Sequence, residues 1–448
     1  MKLLPGRVER AGKELKGDGP DVPLARRLAW PAAIATALIA RYANESLRHR
    51  RDGRVGYAVK DPAPPSSQDF RWAVEALTGH VTVGGNHVEV LINGDNIFPS
   101  VLEAVRSAQD TLNIETYVYW QGEIATELAD AICERAEAGV ECRVLLDAIG
   151  SAKMDPRSIT KMRDAGAEVV RFRPPKPHLL QRADNRSHRR VIVVDGRIGF
   201  TGGVGIAAEW EGDASDPDSW RDTHLRVEGP IVHSLQGAFG EHWVEATGEA
   251  LVGDRLLPEI EPFEDGVPMQ LVRSGSRVGD SNIEILYFLA IASAEKSIEL
   301  TAAYFAPRPP FIEALCDAAG RGVAVRLLVP GPHIDKEFVR VAGRAVYQQL
   351  LDCGVEIYEY QPTMLHAKSL VVDSCWASVG TVNFDNRSFQ LNDELTLCVF
   401  DGDVAGELTE AFEHDLERSE RIDPEQWGNR SARAKLREAV TVPFRREL

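Results

Sequence analysis

Two stretches of the sequence place a histidine, a cation and an aspartate at the same spacing, H-x-R/K-x-x-x-x-D. Their members are His188, Arg190 and Asp195 in the first copy and His366, Lys368 and Asp373 in the second. Alternate side chains of a strand share a face, so the histidine and the cation of each copy point to the same side. The cation can neutralise phosphoryl oxygens, and the imidazole can attack phosphorus or move protons. The repeated pattern therefore predicts phosphate chemistry.

The motif aspartates follow short apolar runs and stand at turns. Asp195 directly precedes Gly196, and Asp373 occupies the equivalent place in the second copy. A carboxylate in this position is able to hydrogen-bond either the nearby histidine or the neighbouring backbone. The sequence alone leaves both alternatives open.

The motifs lie at matching places in a chain that repeats itself. The matching blocks are 92–116 with 282–305, 132–148 with 315–331, 164–172 with 352–360, and the two motif strands. Four blocks in the same order indicate a tandem duplication. Their alternation of helix and strand predicts an α/β fold, in which each half has a mainly parallel sheet flanked by helices.

This organisation predicts a basic N-terminal arm with a short apolar helix over 1–80, a first domain over 81–262, and a second domain with the C-terminal tail over 263–448. The first 60 residues hold 13 basic and 6 acidic residues, a net of +7 in a chain of net charge −17. The apolar run 28–40 is shorter than the roughly 20 residues that a spanning helix needs, so no spanning helix is expected. We expect the arm either to touch an anionic membrane surface or to be a solvated tail.

Composition narrows the function classes further. A net charge of −17 argues against a protein that coats nucleic acid, so no nucleic-acid partner is expected. Six scattered cysteines include no C-x-x-C pair, which favours a reducing compartment and indicates neither a zinc site nor a disulfide framework. The histidines outside the motifs show no ligand spacing and are expected to be structural.

The doubled motif resembles the signature of the phospholipase D superfamily, and most closely its bacterial cardiolipin synthase branch. The resemblance covers roughly residues 85–430. It is carried by the stretches "IETYVYW", "HRRVIVVDGRIGFTGG", "WRDTHLRVEGP" and "HAKSLVVDSCWASVGTVNFDNRSFQLNDE". It implies two phospholipase D-like domains with one composite active site between them, and no metal or other cofactor.

The resemblance also implies a role for each motif residue. His188 is expected to be the nucleophile that forms a phosphohistidine, and His366 the general acid and base. Arg190 and Lys368 would hold the phosphoryl oxygens.

Four polar residues outside the motifs complete the implied site. Asn383 stands at the family's phosphate-contacting position, and Glu394 at the position of a carboxylate that orients an imidazole. The residue of the first half that corresponds to Glu394 is expected to be Asp222, with Glu209 as the alternative.

The first copy departs from the family pattern twice. Arg190 replaces the usual lysine, and Gly205 replaces the usual asparagine. Arginine keeps the charge, but its planar fork is larger than an ammonium group. We expect an active enzyme, with a damaged site as the alternative.

The function implied by the resemblance is phosphatidyl transfer between two phosphatidylglycerol molecules, which yields cardiolipin and glycerol. The protein is expected to be peripheral, on the cytoplasmic side of the cell membrane. Three alternatives stay open: a phospholipase D that releases phosphatidic acid, a nuclease, and a membrane-binding relative without activity.

Overall fold

The computed structural model describes residues 58–175, 185–275 and 281–431, together with residues 438 and 441. Most of the predicted arm, including the apolar run 28–40, lies outside the described residues. Within the described part of the chain, no helix combines the length and the apolar character needed to cross a bilayer.

The first half alternates helices and strands in the predicted order. Its elements are α1 (Gln68–Thr78), β1 (Val83–Ile92), α2 (Gly94–Ser107), β2 (Thr111–Thr116), α3 (Glu123–Glu137), β3 (Glu141–Asp147), α4 (Pro156–Asp164), β4 (Glu168–Phe172), β5 (Val191–Val194), β6 (Ile198–Gly202), β7 (Thr223–Glu228) and α5 (Val232–Thr247). A short 3-10 helix, Ala208–Trp210, precedes β7.

The second half repeats this order. Its elements are β8 (Val267–Ser274), α6 (Asn282–Ser293), β9 (Ser297–Ala302), β10 (Phe305–Ala306), α7 (Pro309–Gly320), β11 (Ala324–Pro330), α8 (Glu337–Arg344), α9 (Tyr347–Asp352), β12 (Glu356–Tyr360), β13 (Lys368–Val372), β14 (Trp376–Gly380), β15 (Phe384–Asp385), α10 (Asn386–Gln390), β16 (Glu394–Val399), α11 (Gly402–Glu417), β17 (Ser419–Arg421) and α12 (Pro424–Gly428).

Fifteen strands form one continuous sheet in the order β17-β12-β11-β9-β13-β14-β16-β8-β1-β7-β6-β5-β2-β3-β4. The order on one side of the β8–β1 junction mirrors the order on the other, as a duplication requires. The α/β prediction is confirmed, but the sheet is mixed in place of mainly parallel. Within this sheet, the parallel pairs of the described strands are those of β2-β3-β4 and β9-β11-β12. The motif strands β5 and β13 form antiparallel pairs through tight turns with β6 and β14. A separate small sheet pairs β10 with β15 in parallel.

Local sequence accounts for where several helices begin. The side chain of Asp155 accepts a hydrogen bond from the Arg157 N–H at the start of α4, and Pro156 supplies a helix-compatible φ at the first position. Asp401 caps α11 in the same way, through the N–H groups of Asp403 and Val404. These caps satisfy helix donors that would otherwise have no partner.

The core between the sheet and helices α5 and α11 contains side chains from both halves. These buried side chains include Val193, Leu225, Leu271, Val371 and Leu397. Burying the apolar faces of both repeats together stabilises each half on the other, at about 25 cal/mol per Å² of apolar surface. The motif strands β5 and β13 are therefore held in a shared core.

A disulfide joins Cys316 on α7 to Cys353 at the end of α9. This disulfide corrects the expectation, drawn from the scattered cysteines, that none of them is paired; the two residues are 37 positions apart in the sequence. Only the packing of the two helices brings the residues together. Among the other cysteines, Cys133, Cys142 and Cys398 are buried as free thiols.

Candidate active site

Each motif histidine stands just before its strand and is hydrogen-bonded there to the opposite half of the chain. The N–H of His188 donates to the carbonyl of Asp393 at 2.9 Å, and the N–H of His366 donates to the carbonyl of Arg221 at 2.7 Å. Asp393 immediately precedes Glu394, and Arg221 immediately precedes Asp222. The backbone therefore carries each histidine to a carboxylate of the other repeat.

The carboxylates pair with the histidines across the two halves. Glu394 Oε2 lies 3.0 Å from Nδ1 of His188, and Asp222 Oδ2 lies 2.7 Å from Nδ1 of His366. All four side chains are buried. The sequence identifies both carboxylates, but their exchange between halves is visible only in the structure.

The surroundings of Nδ1 determine the tautomer of each imidazole. Nδ1 of His188 faces the Glu394 carboxylate and also the carbonyl of Thr381, at 3.0 Å each. Both partners only accept, so Nδ1 carries the proton. Nδ1 of His366 lies 2.7 Å from Asp222 Oδ2 and 3.0 Å from Lys368 Nζ, and the shorter contact with the carboxylate assigns the proton to Nδ1 here too. Each Nε2 is left with its lone pair, as an attacking or proton-accepting atom requires.

Hydrogen bonds fix both carboxylates in turn. Glu394 accepts from the Ser388 hydroxyl at 2.8 Å, from the Asn392 amide at 3.1 Å and from the Thr381 hydroxyl. Asp222 accepts from the Trp210 indole N–H at 2.8 Å and from the Thr223 N–H at 2.8 Å. The motif spacing does not indicate these donors, but the polar residues around Glu394 in "NRSFQLNDE" are a sequence signal for some of them.

The two motif cations are buried beside their histidines. Arg190 Nη1 donates to the carbonyl of His188 at 3.1 Å, and Arg190 Nη2 lies 3.5 Å from His188 Nε2. Lys368 Nζ donates to the carbonyl of His366 and lies 3.0 Å from its Nδ1 and 3.2 Å from its Nε2. Arginine and lysine therefore make the same backbone contact, and each brings positive charge to the imidazole ring of its own motif histidine.

Burial governs the charge state of the histidines. Burial, reinforced by Arg190 and Lys368, lowers the pKa of His188 to about 4 in spite of Glu394. Burial and Lys368 lower the pKa of His366 to about 3 in spite of Asp222. Both imidazoles are neutral at pH 7, and a neutral imidazole is the nucleophilic form.

The neighbouring charged groups respond to the same environment. Burial raises the pKa of Asp222, but His366 and Lys368 outweigh it and hold the pKa at about 2. Burial and the charge of Arg190 lower the pKa of Lys368 to about 7. An ionised carboxylate beside a neutral imidazole fixes the ring through Nδ1–H and stabilises positive charge that develops on it.

The position three residues after β6 in the first half and after β14 in the second differs between the repeats. Asn383 is buried, and its Oδ1 has no hydrogen-bond partner among the described residues. At the equivalent Gly205, a Cβ atom would lie 2.9 Å from the Trp210 ring and 2.9 Å from Cβ of Val118. The asparagine is absent from the first copy because Trp210 fills its space.

The motif aspartates bind backbone and not the histidines. Asp195 accepts from the N–H groups of residues 109, 110 and 111, and Asp373 from those of residues 295, 296 and 297. These groups lead into β2 and β9, the neighbours of the motif strands. Of the two expected partners, the structure therefore shows the backbone. Each aspartate connects a motif strand to its neighbouring strand by hydrogen bonds.

Glu209 does not hold a motif histidine. The carboxylate on His366 belongs to Asp222, while the half-buried Glu209 accepts a hydrogen bond from the Trp220 N–H through its backbone carbonyl. A Cβ atom on Gly203 would lie 2.1 Å from the Asp222 carboxylate. The double glycine of "GFTGG" thus gives Asp222 its space.

Aromatic rings surround the histidines unequally. The ring of Tyr117 lies 5.0 Å from that of His188. Trp210, Trp220 and Tyr304 lie 5.1, 5.4 and 6.4 Å from the ring of His366. Their apolar faces exclude water and strengthen the electrostatic interactions inside the site.

Comparison with known proteins identifies the family. The family model described as "Cardiolipin synthase, PLD-like domain" matches residues 101–210 and 287–416, more than half of the chain. The chain is 34% identical over 404 residues to "Probable cardiolipin synthase YwiE" of Bacillus subtilis, which covers 90% of this chain and 80% of the relative. It is 38% identical over 352 residues to "Cardiolipin synthase 2" of Bacillus anthracis, which covers 78% and 68%.

A solved structure shares the fold at low sequence identity. Phosphatidylserine synthase of Haemophilus influenzae superposes with a TM-score of 0.62 at 12% identity, and the match covers 84% of this chain and all of that one. This likeness concerns the fold alone, whereas the family model and the sequence relatives concern the whole duplicated core. The chain therefore belongs to the cardiolipin synthase family of phospholipase D-like phosphatidyltransferases.

Proposed function

We propose that this enzyme transfers a phosphatidyl group from one phosphatidylglycerol to a second one and releases glycerol. One observation supports this best: two neutral imidazoles, each held through Nδ1–H by a buried carboxylate, present Nε2 beside a cation. The names of its relatives, which are cardiolipin synthases, support this lipid substrate class.

In the first step, Nε2 of His188 attacks phosphorus, and the bond from phosphorus to the glycerol oxygen breaks. A phosphodiester anion beside His366 raises the pKa of its imidazole, so Nε2 takes up a proton from solvent as the substrate binds and then gives it to the leaving oxygen. Arg190 and Lys368 balance the charge on the phosphoryl oxygens. The product is a phosphatidyl-histidine and free glycerol.

In the second step, Nε2 of His366 takes the proton from a hydroxyl of the second phosphatidylglycerol. That oxygen attacks phosphorus, the bond from phosphorus to His188 breaks, and cardiolipin leaves. We expect the side-chain N–H of the buried Asn383 to donate to a phosphoryl oxygen, the role that its position after the second motif implies.

Trapping the covalent intermediate tests this function. Enzyme quenched in acid-free denaturant after mixing with phosphatidyl-labelled phosphatidylglycerol is expected to carry label, and a His188→Ala variant is not. Chromatography of the lipids is expected to show cardiolipin with equimolar glycerol.

Other outcomes point to a different function. Phosphatidic acid without cardiolipin would establish hydrolysis. Label that persists in His188→Ala and vanishes in His366→Ala would exchange the two histidine roles.

We further propose that the enzyme acts as a peripheral protein at the cytoplasmic face of an anionic membrane. The basic N-terminal segment supports this, since 13 of its first 60 residues are Lys or Arg. Such a segment gains about 1 kcal/mol per basic residue near an anionic lipid surface.

A further inference from the structure

A second cluster of buried charges adjoins the residues that hold His188. His242 on α5 lies between two carboxylates: its Nδ1 is 2.6 Å from Glu115 on β2, and its Nε2 is 3.4 Å from Asp393. The Ser187 hydroxyl donates to the same Glu115 oxygen. The exposed fractions of these side chains are small, 6% for His242 and 2% for each carboxylate. His242 therefore bridges one carboxylate of each half.

The cluster is attached directly to the catalytic pair. Ser187 and Asp393 are the chain neighbours of His188 and Glu394. The backbone of Asp393 forms two hydrogen bonds with the segment around His188, at 2.9 Å each: it accepts from the His188 N–H and donates to the Arg186 carbonyl. A shift of Asp393 or Ser187 must move the Glu394–His188 pair.

The other half contains an equivalent pair with the charges exchanged. Arg221, which precedes Asp222, forms a salt bridge of 2.8 Å with Asp415 on α11. His242 and Asp415 occupy equivalent helix positions, each three residues after a phenylalanine, Phe239 or Phe412. An Arg–Asp pair keeps its charges throughout the neutral range, whereas a histidine can lose its charge there.

We propose that His242 is a positioning residue: as an imidazolium it ties Glu115 to Asp393 and so holds Glu394 against His188. Deprotonation of His242 loosens the Glu394–His188 pair and leaves the Asp222–His366 pair intact. Arg173 also contacts Asp393, so the pair is loosened and not released. The effect of His242 on catalysis rests on the proposed function, whereas its effect on the Glu394–His188 hydrogen bond does not.

The surrounding charges set the sign of the pH dependence. Burial lowers the pKa of His242, but Glu115 and Asp393 outweigh burial and raise it above its usual value. The charged groups around the ring are Glu115 on β2, Arg173 after β4, Arg189 before β5, Asp393 before β16, and Glu241 and Glu245 on its own helix. Because the folded pKa is raised, the stabilisation is complete below about pH 6.5 and is lost as pH rises through that raised value.

The test is proton NMR of the imidazole Nδ1–H groups in full-length enzyme labelled with 15N-histidine. In the parent, the exchange rate of the His188 Nδ1–H with solvent is expected to rise about tenfold as His242 deprotonates, which corresponds to one net hydrogen bond. The His366 signal is expected to stay constant over the same range. Two signals that respond equally, or a His188 signal that ignores the titration of His242, would overturn the proposal.

Matched variants separate positioning from general destabilisation. His242→Gln is expected to give the fast exchange of His188 at every pH, whereas Asp415→Asn is expected to affect only His366.

In rapid-quench measurements, His242→Gln is expected to slow formation of the phosphohistidine about tenfold and to leave its breakdown within about twofold. Equal slowing of both steps would contradict a role confined to His188. A parent enzyme that forms no phosphohistidine would refute the proposed function, while the NMR result still decides the role of His242.

Discussion

Nδ1 of each motif histidine faces a buried carboxylate, and this contact decides which ring nitrogen carries the proton. A carbonyl and a carboxylate surround Nδ1 of His188, and a carboxylate meets Nδ1 of His366. Burial keeps both rings neutral, with pKa values of about 4 and 3. At the residue scale, these contacts fit the proposed roles, in which one ring attacks phosphorus and the other transfers protons.

The departure at position 190 can be tested directly. Lys368 makes the same contact with the carbonyl of His366 that Arg190 makes with that of His188. We therefore expect the parent enzyme to be active and Arg190→Lys to change kcat by less than about tenfold. Removing the charge with Arg190→Gln is expected to lower kcat by about 100-fold or more, as for other lost electrostatic donors.

Steady-state turnover of phosphatidylglycerol measures these effects. The matched control is Lys368→Arg, which introduces the same exchange in the intact second motif. An inactive parent whose turnover is restored by Arg190→Lys would show instead that the arginine damages the site.

The segments that follow β6 and β14 differ at two positions that shape the site. Gly203 leaves room for the Asp222 carboxylate, whereas the equivalent Thr381 donates its hydroxyl to Glu394. Gly205 leaves room for the Trp210 ring, whereas the equivalent Asn383 keeps a buried polar group. At the scale of elements, the two repeats differ because of Trp210. In the first half its ring occupies the space beside Gly205, and its indole N–H donates to Asp222.

Restoring the family's asparagine is therefore expected to be harmful. In Gly205→Asn, the new side chain overlaps Trp210, whose indole N–H donates to Asp222 at 2.8 Å. Overpacking of a core costs typically 1–3 kcal/mol. We expect a melting temperature lower by about 2–10 °C and a reduced kcat, because Asp222 loses a donor.

Differential scanning calorimetry and turnover on the same preparations test this expectation. The matched control is Asn383→Gly, which removes the polar group without adding volume and is expected to lower kcat with a smaller effect on melting. A Gly205→Asn variant that is as stable as the parent and faster would show that the first half lacks a contact it needs.

On the scale of the whole molecule, the duplication of the chain explains why the site is built from residues of both halves. The strand order mirrors about the β8–β1 junction, and side chains of both halves share one core. Each half supplies a histidine to the carboxylate of the other, so neither half contains a complete catalytic pair. The proposed mechanism, in which two histidines act on one phosphorus atom, makes use of this exchange.

Membrane binding is also a property of the whole chain. We expect full-length protein to sediment with phosphatidylglycerol vesicles and to be released as salt rises towards about 0.5 M, because salt screens charge attraction. Neutralising Arg26, Arg27 and Arg41 to Gln is expected to weaken binding about 100-fold, from about 1 kcal/mol per charge. Phosphatidylcholine vesicles are the control; equal binding to both lipids, insensitive to salt, would contradict a basic peripheral contact.

The sequence by itself determined the duplication, the α/β class and the identity of both histidines, because each depends on residue type and local spacing. It also singled out Glu394 and Asp222, through their place in the repeated blocks. Local patterns predicted the alternation of α2–β2 and α6–β9 with their helical and strand periods.

The tertiary structure alone decided which carboxylate meets which histidine, because the exchange depends on backbone pairing between residues about 150–200 positions apart. It decided that Asp195 and Asp373 bind backbone, and that Glu209 is not the partner of His366. It joined Cys316 to Cys353. These contacts are set by packing across the whole sheet, which no local pattern encodes.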